Sequence, residues 1–211
     1  DKEKVIAFVP QTEDFSYNEN DVMNFFEDKN LDCLVLVNPD NPTGNYISRE
    51  GMLKLARWTK KKGIRFLADE SFVDFAEETE PTLLAEELLD ENPHMIVVKS
   101  ISKSYGIPGL RLGVAASGDT DLIGQLKKDV AIWNINSFAE FYLQIYEKYA
   151  KDYVKAIEKF KQTRAAYIKD LQALSGLRVL PTQANYVLCE ITCGVTSRKL
   201  AEDLLVGKYS D

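Results

Sequence analysis

The sequence predicts an α/β fold, a mostly parallel sheet flanked by helices. Two observations carry that expectation. Short β-rich runs alternate with helical patterns through the first part of the chain, as in strand-helix-strand units, and most of the intervals between them are long enough for a helical crossover. With 211 residues, 45% hydrophobic and 28% charged, the chain has enough apolar side chain for one large or two small cores.

In chain order, the strand-like runs cover residues 5–10, 33–38, 64–69, 95–100 and 113–117. Between the second and third, Ser48 is an N-cap, apolar Met52, Leu53, Leu55, Ala56 and Trp58 follow helical spacing, and Gly63 ends the helix. The interval before the run at 113–117 is too short for a full crossover, so this strand is expected to run antiparallel. Residues 137–174 contain no Pro or Gly and read as helix, interrupted only around 150–153, and the stretch 153–174 reads as a bridge between domains. Strand signals at 178–180 and 185–191, then a helix from Thr196, suggest the start of a small α+β domain. The expected division is residues 1–150, the later part of a large domain, and residues 151–211, the interdomain helix and beginning of a small one. Both ends read as cuts in something longer.

A formal charge of -7 argues against a nucleic-acid surface, which needs clustered cations. The run Lys60-Lys61-Lys62 suits a helix C-terminus. Cys33, Cys189, Cys193 and the single histidine, His94, fit no metal-binding spacing, so no metal site is expected. No apolar run approaches the roughly 20 residues of a membrane span and the first residues are not a signal peptide, so no membrane partner and a cytoplasmic location are expected.

Three clusters sit at strand ends, where open α/β sheets bind ligands. NPDNPTG at 38–44 is a turn sequence on its own. ADESFVDF at 68–75 places Asp69 at a strand terminus, where an acid is often only a cap. SISKSYGIPGLRLG at 100–113 gathers Ser100, Ser102, Lys103 and Arg111. A lysine after a buried strand is ordinarily a snorkelling surface residue. Here hydroxyls and a guanidinium suited to a phosphate accompany an amine able to form a Schiff base.

The third cluster resembles the lysine signature of the class I/II aminotransferase superfamily, S-x-S-K-x-x-G-x-x-G-x-R-x-G, at every position. The resemblance runs from the strand at 5–10 to QANYVLCEI at 183–191, and DESFVDF and IPGLRLG look nearest the branch of histidinol-phosphate aminotransferase and threonine-phosphate decarboxylase. It implies fold type I, pyridoxal 5'-phosphate (PLP) as cofactor, and a likeness to enzymes that move an amino group between an amino acid or amino-acid phosphate and a 2-oxo acid. Lys103 would hold the cofactor as a Schiff base and shuttle protons; Asp69 would pair with the pyridine nitrogen. Ser100, Ser102 and Arg111 would bind the phosphate and Asn41 the 3-oxygen. Phe72 stands where relatives carry a tyrosine that shares that role with Asn41. Asn185 matches a residue near the substrate carboxylate. Trp133 and Asn136 would either reach a second subunit's site, since the fold type usually forms homodimers, or pack at the start of the following helix.

Relatives carry a glycine-rich phosphate turn before the matched region and a carboxylate-binding arginine after it, so the isolated chain is expected to be inactive. They also place an earlier strand between the runs at 5–10 and 33–38. Two other readings stand beside amino transfer: a PLP-dependent decarboxylase or lyase of the same fold, and a non-catalytic interaction domain derived from it.

Overall fold

In a computed structural model of the chain, which describes residues 4–207, a four-stranded sheet forms the centre. β1 (Cys33–Val37), β2 (Arg65–Asp69) and β3 (Met95–Ser100) are parallel, and β4 (Gly113–Ala116) is antiparallel to β3, with spatial order β1-β2-β3-β4. The antiparallel expectation for the last strand is met because only the short helix α4 (Ile101–Ser104) and one 3-10 turn separate it from β3. In register, Val37 faces Asp69 and Asp69 faces Val98, while Ser100 pairs with Gly113. The carboxyl ends of β2 and β3 therefore lie side by side, next to the start of β4.

The helices before β2 are α1 (Glu19–Phe26) and α2 (Arg49–Lys62). Asn18 and Asp21 cap α1 reciprocally. Ser48 caps α2 through Gly51 N–H, and Gly63 closes it at φ 70°, as its sequence predicts. Met52, Leu55 and Ala56 of α2, with Val22 and Phe26 of α1, bury one sheet face with Leu34, Leu36, Phe66, Ala68, Met95 and Val97. Each large apolar side chain so buried stabilises the fold by about 1.5–3 kcal/mol. Buried Glu70, just past β2, accepts from Thr82 Oγ1 (2.5 Å) and Leu83 N–H (2.8 Å), fixing the chain that runs on to α3 (Glu86–Glu91).

Two expectations are corrected. Residues 5–10 form no strand, and Val5 and Val9 are 74% and 61% exposed. A strand needs a neighbour for its N–H and C=O groups, and none of the described strands pairs with this segment. The interruption around 150–153 is likewise absent: after α5 (Thr120–Asp129), α6 runs unbroken from Ser137 to Gln172, 36 residues or about 54 Å. Nothing at 150–153 opposes a helix, since Lys and Ala favour it and neither Pro nor Gly occurs.

Beyond α6, β5 (Leu177–Val179) and β6 (Cys189–Ile191) pair antiparallel and α7 (Ser197–Gly207) follows. The segment between them returns to the first sheet. Buried Arg164 of α6 donates to Phe75 O and Ala184 O, both at 2.8 Å, and its guanidinium pairs with Glu77 at 2.5 Å. Ile157 and Phe160 of α6 pack with Phe72, Phe75, Ala184 and Tyr186. No described helix is long and apolar enough to cross a membrane, and no described cluster of His, Cys, Asp or Glu could hold a metal ion.

Candidate active site

Asp69 ends β2, where its Oδ1 accepts from Ser71 N–H at 2.9 Å. Ser71 Oγ in turn accepts from Ser100 N–H at 3.1 Å, tying the end of β2 to the end of β3. Three residues later α4 carries Lys103, whose side chain is exposed and whose Nζ lies 5.9 Å from the centroid of the Phe72 ring. Phe72 is only 7% exposed, so its ring forms the floor beneath the amine.

Ser100 and Arg111 open onto one cavity of ≈ 470 Å³, with Ser71 and Gly113. Arg111 adopts the left-handed conformation (φ 56°, ψ 43°), which strains a side-chain-bearing residue by about 1–3 kcal/mol. One guanidinium nitrogen donates to Pro108 O at 3.1 Å, and the fork has five N–H donors in all. A cation with donors to spare beside a serine hydroxyl suits a phosphate. A carboxylate at the next strand end suits a protonated ring nitrogen.

Ser102 departs from the expectation. It is buried, 4% exposed, and its hydroxyl donates to Leu112 O at 3.3 Å, which fastens α4 to the start of β4 instead of facing the cavity. Asn41 is exposed in the turn after β1, and Asn185 is exposed in the segment before β6. Asn136 caps α6 through Ala139 N–H (3.0 Å) and donates to Leu110 O (3.0 Å), so it serves the start of that helix. Trp133 is 93% exposed.

Sequence reasoning missed Tyr186. Its hydroxyl donates to Asp40 O at 2.6 Å, in the turn that carries Asn41, and its ring meets Phe72 edge-on at 5.1 Å. Burial raises its pKa, and the charges of Asp40 and Asp69 add to that. It also missed Lys99, buried within β3 and paired with Asp74 at 2.7 Å. A cation at the fifth place of the apolar run MIVVKS was the available signal.

The sequence profile of the family "aminotransferase class I and II" matches residues 6–208, and the chain belongs to that family, whose members are PLP-dependent enzymes. A CMP-5'-(3-aminopropyl)phosphonate synthase from Streptomyces rubellomurinus is 34% identical over 96% of this chain and 32% of its own length. An L-serine phosphate decarboxylase from Sulfurospirillum multivorans is 34% identical over 95% of this chain and 52% of its own. The chain therefore spans about a third to a half of the curated relatives it matches. Among solved structures, the histidinol-phosphate aminotransferase of Sinorhizobium meliloti in complex with pyridoxal-5'-phosphate superposes with a TM-score of 0.71 at 23% identity, covering 97% of this chain and 54% of that one. The fold is that of PLP-dependent enzymes of fold type I, and PLP is the cofactor.

Proposed function

We propose that this chain carries the lysine side of the active site of a PLP-dependent enzyme acting on an amino acid that bears a phosphate, and that the bond broken is the one to the α-carboxylate. The placement of Lys103 supports the cofactor part of this reading: its amine stands over Phe72, three residues after Ser100, whose N–H ties the end of β3 to Ser71 just past β2 and which lines a cavity with Arg111. The name of the L-serine phosphate decarboxylase supports decarboxylation, and the names of both 34%-identical relatives support a phosphate- or phosphonate-bearing compound at the site.

When bound, PLP supplies an electron sink for the pair left at the substrate α-carbon. Lys103 would hold the cofactor through its amine and, with that amine free, would deliver to the α-carbon the proton that replaces the lost carboxylate. Asp69 would keep the ring nitrogen protonated. Ser100 and Arg111 would hold the phosphate, Ser102 bracing the turn behind them, and Asn41 would donate to the 3-oxygen. Asn185 is assigned to the substrate side. The active form is assigned as a homodimer, with Trp133 of α6's leading segment on its surface.

The test is to incubate the full-length protein and PLP with L-serine phosphate and L-threonine phosphate, with and without a 2-oxo acid. Carbon dioxide release that needs no 2-oxo acid is the expected result. Amino transfer to the 2-oxo acid without carbon dioxide would replace this reading by the aminotransferase one, which the fold family equally supports.

Phe72 allows a finer check. A phenol donating to the anionic 3-oxygen favours deprotonation of the adjoining lysine-cofactor linkage, so Phe72→Tyr is expected to lower the pH midpoint of the bound cofactor's absorbance titration. An unchanged or raised midpoint, with a lower melting temperature, would mean that the hydroxyl is buried without a partner, at about 1–3 kcal/mol.

A further inference from the structure

Among the described residues, four side-chain polar atoms are buried without a hydrogen-bond partner: Asp74 Oδ2, Ser104 Oγ, Tyr153 OH and His94 Nδ1. The first three gather behind the lysine turn. Asp74 Oδ1 pairs with Lys99 Nζ at 2.7 Å, four residues before Lys103. On the other side, Ser104 adjoins Lys103, and the ring of Tyr105 stacks on Tyr153 with centroids 4.1 Å apart and planes within 3°. The Tyr105 and Tyr146 hydroxyls meet at 2.9 Å. Tyr146 and Tyr153 both belong to α6. Both Ser104 and Asp74 lie close enough to the Tyr153 phenol to perturb it, although burial does most to raise its pKa.

Buried hydroxyls and carboxylates are very rarely left unpaired, and each such group costs about 1–3 kcal/mol. A phenol and a serine hydroxyl can turn their O–H bonds with little cost. Three unpaired atoms of complementary kind, two able to donate and one a carboxylate oxygen, can join in a hydrogen-bonded chain once their side chains shift slightly toward one another.

We propose that Tyr153 is a positioning residue for Lys103: its hydroxyl joins Ser104 Oγ to Asp74 Oδ2 and thereby fastens the lysine turn to α6. The aromatic stack sets the height of the turn, and the polar chain sets its rotation about α4. The benefit to catalysis rests on the role proposed for Lys103; the clamp itself does not.

The test compares Tyr153→Phe, Ser104→Ala and the double variant with the unaltered protein. Tyr153→Phe keeps the stacked ring and removes only the O–H. Hydrogen exchange of residues 101–106 is expected to quicken about tenfold in each single variant, with α2 unchanged, since a hydrogen bond to a charged group is worth about that factor. The double variant should exchange no faster than either single, because both remove the same chain. In the same samples PLP affinity should fall about tenfold. Exchange unchanged or slowed in Tyr153→Phe, or quickened equally in α2, would overturn the clamp. A loosened turn with unaltered PLP affinity would overturn the positioning role. Absence of PLP on Lys103 in the unaltered protein would instead reject the proposed function, and exchange alone would then decide the clamp.

Discussion

Lys103→Ala and Lys103→Arg are both expected to abolish the covalent hold on PLP in the full-length protein. Borohydride reduction followed by mass spectrometry should find phosphopyridoxyl on Lys103 in the unaltered chain and on no residue of either variant. The arginine variant matters because a guanidinium keeps the charge near Phe72 but has no free amine to add to a carbonyl and does not lose its proton. Turnover should fall by at least the 10²–10⁴-fold, roughly, that a placed acid-base group contributes. If the arginine variant retained the adduct, another amine would be the attachment point. Lys99 is poorly suited to that part, since its Nζ is held by Asp74 in the interior.

The largest effect on stability is expected at Gly44, in the turn that carries Asn41. Its φ is 77°, and a Cβ there would collide with Thr182 Oγ1 and meet Thr182 Cβ at 2.6 Å and Thr182 Cα at 2.9 Å. The approach is close because the two chain segments are stitched together: Gln183 N–H donates to Gly44 O at 2.9 Å and Tyr186 O–H to Asp40 O at 2.6 Å. Gly44→Ala combines left-handed strain with overpacking, about 3 kcal/mol or more. For a chain of this size that lowers the melting temperature by roughly 6–12 °C. Adding Thr182→Ala should restore only part of the loss, because the backbone Cα stays in the way. A melting temperature within about 2 °C of the unaltered protein would show that the segments part readily.

What the sequence made legible was local or repetitive. Alternation of strands and helices announced the sheet, and Ser48 and Gly63 marked both ends of α2 because capping acts over three or four residues. The lysine cluster was legible because its Ser, Lys, Gly and Arg spacing is one contiguous run, now seen to fold back so that Ser100 and Arg111 share a cavity. Residues 5–10 have the composition of a strand, but pairing depends on a neighbour that no local pattern supplies. The contact of Tyr186 with Asp40 spans 146 positions, a separation that no local pattern encodes. Ser102 sits in the motif, but its burial against Leu112 O follows from the turn of α4, which the motif does not encode.

The strand order β1-β2-β3-β4 is also the order in the chain. Taken by themselves, these four strands can add in the direction of synthesis, each joining the one made just before it. Of the four, β4 is the last to form, and it is the one that meets β3 at the turn bearing Lys103. The pairing of Ser100 with Gly113 closes that turn, so the amine is set only when the nascent sheet gains its antiparallel strand.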